Sequence, residues 1–380
     1  MRFSKLVLQN WRNFLRVDVD LPSRVFLVGP NAAGKSNFLD ALRFLRDVAE
    51  PRGGFQQAIE KRGGVSKIRS LHARRFPNVS VGIQAELDTG LWDYKIAFKQ
   101  DKLRRPVVCK EQVYCDGNII LDRPDTQDKT DPGRLSQTHL EQVNSNEQFR
   151  EVAEFFTQIR YLHLVPQLIR EPDRSAGRER DPFGADFLEV LARMQKEQRR
   201  TFDSRLRKVN DALRAAVPQL KELRLERDEA GRPHLRIRYE HWRPAGGWQG
   251  EDQLSDGTLR LLGLLWSLLD GTGPLLLEEP ELSLHEAVVR KLPGMMWRVV
   301  RKAGRQTIIS SHSSELLSDD GICSEEVLLL DPTHEDTVVR TAASDDEINA
   351  LVAEGLSIGE AVLPKVTPHG LQQLLFSFKE

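Results

Sequence analysis

The sequence has no long apolar segment and no hydrophobic leader. Its longest nearly apolar run, at residues 259 to 269, is interrupted by Arg260 and Ser267 and is shorter than the roughly 20 residues that cross a bilayer. The amino terminus alternates like a strand and lacks the apolar core and small-residue cleavage site of a secretory signal. We therefore expect a cytoplasmic protein with no membrane partner.

Cysteine is scarce and net charge is almost absent. The three cysteines, Cys109, Cys115 and Cys323, lack the paired CxxC spacing of a zinc site, which favours ordinary thiols. Lys and Arg number 55 against 56 Asp and Glu, so the net charge of -1 argues against a polybasic binder, although a local patch can still hold nucleic acid. The 39% hydrophobic content allows a sizeable core, and the length favours two or three domains at roughly 150 residues each.

The first half of the chain predicts a sheet and one helix. Strands at residues 1 to 8, 15 to 21 and 25 to 28 read as a meander, which strands at 79 to 87 and 94 to 99 extend. Apolar spacing predicts a helix from Lys35 to Val48. Residues 102 to 148 are polar and turn-rich, so we expect a mobile loop there.

The second half alternates strands with helices, which predicts a mostly parallel sheet covered on both faces. In chain order the pattern predicts a strand at 159 to 165, one or two helices up to 217, a hairpin at 223 to 239, a helix at 259 to 269, a strand at 274 to 279, a helix at 284 to 303, strands at 307 to 309 and 326 to 330, and a peripheral helical tail. We divide the chain into an amino-terminal lobe (1–100), an insertion (101–245), a carboxy-terminal lobe (246–342) and the tail (343–380).

A glycine-bearing loop between a strand and a helix fits the pattern G-x-x-x-x-G-K-[ST]. Glycines let backbone N–H groups close around phosphate oxygens, the lysine reaches the outer phosphates, and the hydroxyl binds magnesium. The pattern therefore predicts a nucleotide and Mg²⁺ site. Its predicted nucleotide-binding residues are Gly29, Pro30, Asn31, Ala32, Ala33, Gly34, Lys35, Ser36 and Asn37.

Two carboxylates end a buried strand, in the segment PLLLEEP. Ligands of open α/β sheets bind at the carboxyl ends of the strands, so these acids should face the same crevice as the glycine-bearing loop. Alternation along the strand separates them: Glu278 would face the magnesium and Glu279 would polarise the attacking water.

The segment Leu254, Ser255, Asp256, Gly257 and Thr258 precedes the apolar helix. With the loop and the acidic strand, it resembles the ABC-type ATPase superfamily, and more closely the branch with structural-maintenance-of-chromosomes (SMC), RecF-like and OLD-family ATPases. Its LSDGT looks like the LSxG[QE] signature, with Thr258 where Gln or Glu is commoner. The resemblance implies that this signature meets the γ-phosphate of ATP held by a second copy, making a homodimer.

The resemblance also implies a fold: an α/β P-loop ATPase head with a mostly parallel central sheet, an antiparallel amino-terminal meander and a helical insertion before the signature. Its catalytic residues would be Glu279, Lys35 and His312, the last as the switch histidine. Gln167 is the candidate Q-loop glutamine, joining Ser36 and Glu278 at the metal, with Gln56, Gln57 and Gln84 as other glutamines after the P-loop. Arg12 and Asn13, in the turn NWRNF, would lie near ATP, although a plain capped hairpin explains that turn nearly as well.

Two segments are rich in basic residues. Residues 61 to 75 hold six Lys or Arg and no acid, and Arg193, Lys196, Arg200 and Arg207 are predicted to share one helical face. Such a face could follow a phosphate backbone, or it could be a solvated face or a docking surface for an acidic partner.

Three functions remain open from the sequence. The leading one is an ATPase whose dimerisation regulates a separately encoded effector, a nuclease, in prokaryotic defence or nucleic-acid surveillance, because the head stands without a recognisable nuclease cluster. The second is a repair-type clamp that binds DNA directly. The third is the nucleotide-binding subunit of a transporter, against which the NWRNF turn and the long insertion weigh.

Overall fold

The computed structural model describes residues 1–73, 78–170, 183–240 and 247–367. Two six-stranded sheets and one three-stranded sheet form the framework. The first sheet is antiparallel throughout, and its strands are, in spatial order, β2 (Phe14–Asp20), β1 (Arg2–Trp11), β4 (Val79–Leu87), β5 (Gly90–Gln100), β6 (Pro106–Cys115) and β7 (Asn118–Arg123).

The second sheet is parallel except at one edge, as the alternation of strands and helices predicts. Its strands are, in spatial order, β15 (Thr337–Thr341), β14 (Val327–Pro332), β3 (Arg24–Val28), β13 (Thr307–Ser311), β12 (Leu275–Glu278) and β8 (Arg160–Leu162), with β15 antiparallel. The third sheet contains β9 (Leu220–Arg227), β10 (Pro233–Tyr239) and β11 (Trp248–Gly250), and it includes the predicted hairpin.

Helices cover the faces of the sheets. They are α1 (Lys35–Ala49), α2 (Phe55–Glu60), α3 (Val65–Ile68), α4 (Thr126–Thr130), α5 (Arg150–Thr157), α6 (Pro166–Arg170), α7 (Phe187–Glu197), α8 (Arg199–Ala216), α9 (Asp256–Leu269), α10 (Glu286–Val289), α11 (Leu292–Ala303), α12 (Ser314–Leu317), α13 (Asp346–Ala353) and α14 (Ile358–Val366). No helix within the described ranges is both long enough and apolar enough to cross a membrane.

The parallel sheet is buried on both faces, which is why its strands are almost wholly apolar. Along β3, Val25 and Leu27 pack toward α1 and the first sheet, whereas Phe26 and Val28 pack toward α11 and α14. Helix α1 lies in the first of these cores, and a third core joins α7, α8 and α9 to the small sheet. This layering holds α1 and the carboxyl ends of the central strands in a fixed relation.

The expectation that residues 102 to 148 form a loop is wrong. This segment contains β6 and β7, which complete the first sheet, and α4, so the predicted boundary after residue 100 falls inside a sheet. Its polar residues pair with one another: Arg123 is fully buried and binds Glu111 at 3.0 Å and Asp128 at 2.8 Å. Charged residues that read as solvent-facing in sequence are an internal ion cluster in the fold.

Three smaller expectations also need correction. The third strand of the predicted meander, β3, belongs to the parallel sheet and pairs with β13 and β14. The helix expected at 284 to 303 is interrupted, and α11 begins with Pro293 in its first turn, a residue that cannot continue a helix from upstream. The tail helices are not peripheral, because Ile348 and Val362 are buried in the second core. Residues 368–380 of the tail lie outside the described part of the chain.

Candidate functional site

The glycine-bearing loop connects β3 to α1 at the edge where the central strands end. Gly34, the residue before α1, has a φ of 98°, and Ala32 has a φ of 65°, so the loop uses left-handed backbone at two positions. No side chain caps the amino terminus of α1. The free N–H groups of that first turn and the helix dipole favour an anion there.

The side chain of Lys35 lies inside this loop. Its ammonium donates to the carbonyl oxygens of Gly29 at 2.7 Å and Pro30 at 3.1 Å. Burial lowers the pKa of Lys35, and the nearby carboxylates Glu279 and Glu281 oppose that shift. The ammonium therefore already occupies the concave side of the loop, held by carbonyl oxygens that a phosphate group could replace.

The turn between β1 and β2 holds the glycine-bearing loop through hydrogen bonds of Asn13. The amide of Asn13 donates to the carbonyl of Ala33 at 2.9 Å and to the hydroxyl of Thr337 at 2.8 Å, and its oxygen accepts from Asn37 at 2.7 Å. A side chain at Gly34 would collide with Asn13, since a Cβ there would lie 2.2 Å from its amide nitrogen. Asn13 thus fixes the loop rather than presenting its amide to solvent.

Arg12, in the same turn, has a φ of 51° and pairs with Asp40 of α1 at 2.8 Å. About a quarter of its side chain, 27%, is exposed. The pairing anchors the turn to the helix that follows the loop, beside the first turn of α1.

Glu278 meets Ser36, as expected for two metal-binding residues. The Ser36 hydroxyl donates to one carboxylate oxygen of Glu278, and the hydroxyl of Tyr161 donates to the other. Tyr161 lies on β8, next to β12, and the guanidinium of Arg43 stacks on its ring at 4.0 Å. Sequence reasoning missed Tyr161, because nothing in the sequence indicates that β8 pairs with β12.

Glu279 and His312 also come together. The carboxylate of Glu279 lies 3.2 Å from the Nδ1 of His312, which follows β13. The backbone of Glu279 has a φ of 43°, and its N–H donates to the carbonyl of Ser310 at 3.0 Å. The strained backbone turns the second acid away from the direction of the first, so the two carboxylates have separate surroundings.

The signature segment begins α9. Exposed Ser255 is the N-cap of that helix and accepts the N–H of Thr258 at 3.2 Å. Gly257 packs closely on the segment after β12, because a Cβ there would lie 2.6 Å from the carbonyl oxygen of Ser283. Among the described residues, no hydrogen bond or ion pair joins residues 254–258 to the loop at 29–37.

Gln167 is not brought to the metal-binding pair. It lies on α6, is exposed, and donates to Asp256 of the signature at 3.2 Å. Arg170 of the same helix binds Asp256 at 2.6 Å and the carbonyl of Leu254 at 2.6 Å. Sequence reasoning missed this second contact. The helix after β8 is therefore tied to the signature in this state.

Two of the other candidate glutamines, Gln56 and Gln84, are engaged elsewhere. Gln56 donates to the carbonyls of Pro106 and Ser136, and Gln84 donates to Asp93 within the first sheet.

The four basic residues do not share one helix, so the single-face prediction is wrong. Arg193 and Lys196 lie on α7, whereas Arg200 and Arg207 lie on α8. The two helices are separated at Gln198, whose φ of -135° is not helical. All four side chains are nonetheless exposed.

The basic segment at 61 to 75 is only partly available. Arg62 is buried and binds both Asp40 and Asp47 at 2.9 Å. Arg74 and Arg75 lie outside the described residues.

These residues fit ATP and Mg²⁺. The uncapped helix terminus and the Lys35 ammonium suit phosphate oxygens, and the paired hydroxyl and carboxylate of Ser36 and Glu278 are the hard oxygen ligands that Mg²⁺ takes beside phosphates. Glu279 and His312 are beside this pair on the same sheet edge, because β12 and β13 are in register there.

The chain is similar to several known proteins. A model of the family described as "AAA domain, putative AbiEii toxin, Type IV TA system" matches residues 24–318. The Endonuclease GajA of Bacillus cereus is 39% identical over 67 residues, which are 18% of this chain and 12% of GajA. The DNA replication and repair protein RecF of Roseiflexus castenholzii is 44% identical over 55 residues, or 14% of each chain. The alignments thus span a small part of these relatives.

Solved structures share the fold. An SmcHead bound to the C-winged helix domain of ScpA superposes with a TM-score of 0.56 at 14% identity, covering 90% of this chain and 97% of that one. An Smc head domain with an extended coiled coil, bound to the C-terminal domain of ScpA derived from Pyrococcus furiosus, gives a TM-score of 0.53 at 12% identity over 93% of this chain and 99% of the other. At such identities the likeness concerns the fold alone.

Proposed function

Because the chain belongs to the AAA_21 family and is an ABC-type ATPase of the RecF/SMC/OLD-like branch, we propose that it hydrolyses ATP with Mg²⁺ between two copies of itself. The observation that carries the proposal is the meeting, at one sheet edge, of Lys35, the Ser36–Glu278 pair and the Glu279–His312 pair. These groups match the tasks of phosphoryl transfer: positioning, charge neutralisation and activation of water.

Each residue has a separate task in this proposal. Lys35 binds the outer phosphates, and Ser36 with Glu278 holds Mg²⁺, which neutralises phosphate charge when it is bound. Glu279 accepts a hydrogen bond from the attacking water and orients it, while His312 holds the Glu279 carboxylate. Tyr161 keeps Glu278 pointed at Ser36.

A second copy is needed to complete the site. Ser255 and Gly257 lie at the amino terminus of α9, where Ser255 is exposed, and among the described residues no hydrogen bond or ion pair joins them to the loop of their own chain. A helix terminus whose N-cap serine is exposed suits a phosphate group, so the signature of one copy would close over the ATP of another.

The first experiment is the native mass of the Glu279→Gln protein with and without ATP and Mg²⁺. Slow hydrolysis in this variant should hold the closed state, so the mass should double with ATP and stay monomeric with Ser255→Arg added. A monomer that binds ATP and does not shift would reject the self-dimer.

Complementation tests the shared site directly. Lys35→Ala and Ser255→Arg should each be inactive alone, yet a mixture should recover about a quarter of wild-type activity, because half of the random dimers carry one complete site of two. Ser318→Arg, an exposed serine remote from the signature in sequence, is the control and should stay fully active. A mixture with no recovery would contradict the composite site.

For the biological role we propose that the ATP cycle regulates a separately encoded effector, a nuclease, in prokaryotic defence or nucleic-acid surveillance. The family description names a toxin system, and the partial match to an endonuclease supports the same direction. Affinity purification of the Glu279→Gln protein from its host should recover an ATP-dependent nuclease partner. A pull-down without a protein partner would reject this role.

A second candidate, direct DNA binding as a repair clamp, has support from the partial match to RecF and from the exposed Arg193, Lys196, Arg200 and Arg207. If this candidate is correct, the protein should bind duplex DNA in the presence of ATP. The binding should weaken steeply as salt is added and should be lost in the double variant Arg200→Gln/Arg207→Gln. Salt-independent or absent binding would reject it.

A further inference from the structure

Arg260 is a buried arginine with no hydrogen-bond or ion-pair partner among the residues that the structure describes. It lies in the second turn of α9, five residues after Ser255, and is 9% exposed. Within the described part of the chain its guanidinium makes no hydrogen bond or ion pair, and its Nε is sealed from solvent. An N–H sealed from water without an acceptor costs free energy, and an acceptor supplied in another state would recover it.

Glu281 is its counterpart of opposite charge. It is 7% exposed, and one carboxylate oxygen accepts the hydroxyl of Ser311 at 2.5 Å, while the other is buried without a donor. Burial raises the pKa of Glu281. Among the described residues, Arg260 and Glu281 thus each have one buried side-chain atom without a partner, the Nε of Arg260 and one carboxylate oxygen of Glu281.

The two groups belong to segments that already touch. The first turn of α9 packs on residues 279 to 285, where Gly257 faces the carbonyl of Ser283 with no room for a Cβ. Burial lowers the pKa of Arg260, and the negative charges of Asp256, Glu279 and Glu281 oppose that shift, so the guanidinium lies within their field. A shift of α9 against this segment would change the separation between Arg260 and Glu281.

We propose that Arg260 is a positioning residue that pairs with the free oxygen of Glu281 when the ATP-bound dimer closes. The inference rests on the proposed function, since closure supplies the movement. The pair would tie the signature helix, which meets the ATP of the partner copy, to the segment that carries Glu279 of its own chain. Each copy would then align its own water-activating carboxylate only after its signature has engaged the other ATP.

Thermal unfolding separates this role from an ordinary structural one. Without nucleotide, Arg260→Met removes an unpaired charge, so its Tm should equal or exceed that of wild type. With ATP and Mg²⁺ on a Glu279→Gln background, the rise in Tm should be smaller than without the Arg260 change. Arg298→Met, an exposed helical arginine, is the matched control and should change neither value. A lower Tm for Arg260→Met without nucleotide would mean that Arg260 is already paired, and would overturn the inference.

A double-mutant cycle on hydrolysis tests the pairing itself. Arg260→Met and Glu281→Gln should each lower kcat about 10- to 100-fold through misplacement of Glu279, with KM for ATP nearly unchanged. The double variant should be no slower than the slower single one, and Arg260→Lys should keep part of the activity. Losses that multiply in the double variant would reject the pair.

The failures are distinguishable. If wild-type protein neither dimerises with ATP nor hydrolyses it, the proposed function is wrong and the inference falls with it. If wild type does both and the cycle shows independent losses, only the role of Arg260 is wrong.

Discussion

Two buried arginines differ in their partners: Arg123 binds two acids and two carbonyl oxygens, and Arg260 makes no hydrogen bond or ion pair within the described residues. Arg123, in the first sheet, binds Glu111, Asp128 and the carbonyls of Gln137 and Arg134. Arg260, in the signature helix, has no such partner among the described residues. The charge of Arg123 is therefore compensated within one chain, whereas we propose that Arg260 gains its partner when the dimer closes.

The buried arginines next to α1 are paired with acids, as Arg123 is. Arg62 is buried and bonds to Asp40 and Asp47, and Arg46 lies 2.9 Å from Asp47. Arg62 and Arg46 hold the pKa of Asp47 below its usual value in spite of burial. Ion pairs thus join Asp40 and Asp47 of α1 to Arg62, whereas Arg260 and Glu281 each keep one buried atom without a partner among the described residues.

The largest effect is expected from a substitution at Arg123, in the ion cluster of the first sheet. Arg123→Met leaves Glu111 and Asp128 as uncompensated buried acids and should lower the free energy of unfolding by about 3–5 kcal/mol. Urea denaturation of this variant beside Arg260→Met measures the contrast, since Arg260→Met should cost nothing without nucleotide. Equal losses in the two variants would erase the distinction between the regions.

A middle-sized effect is expected at the connection between the turn and the P-loop. Asn13→Ala removes hydrogen bonds to Ala33, Thr337 and Asn37 and should lower stability by about 1–2 kcal/mol. Because the loop loses its support, ATP affinity should fall about tenfold, which titration with a fluorescent ATP analogue would measure. Unchanged affinity would show that the loop keeps its shape without Asn13.

The smallest expected effect is a pH dependence within the first region. Burial and the charge of Arg123 lower the pKa of His139 to about 4, below the ordinary value of 6.5. The unfolded chain therefore binds the proton first, so this contribution to stability is complete above about pH 6.5 and is lost as the pH falls toward 4.

Partial exposure of His139 limits the loss to the order of 1 kcal/mol. Unfolding at about pH 7 and about pH 5, in wild type and His139→Gln, isolates it, because the other titrating groups are common to both. Parallel pH profiles would show that His139 contributes nothing.

Most of the strands and helices could be predicted from the sequence, since burial of one or two faces sets their periodicity. Helix α1 and strands β4 and β5 follow the predictions closely. The failures concern residues 102 to 148, where acids and bases alternate with apolar residues as they do on a solvated surface. Whether Glu111 faces water or Arg123 depends on a partner 12 residues away, which no local pattern contains.

The sequence by itself determined the chemistry of the proposed ATP site, because each part of that site is a contiguous motif. The glycines belong to the loop that needs them, and the two acids belong to the end of one strand. Only the tertiary structure decided which side chains hold those parts. Tyr161 reaches Glu278 because β8 pairs with β12, and Gln167 is tied to Asp256 because α6 lies beside α9. Among the described residues, the Nε of Arg260 and one oxygen of Glu281 lack partners for the same physical reason: burial and pairing depend on the packing of segments that are distant in the chain.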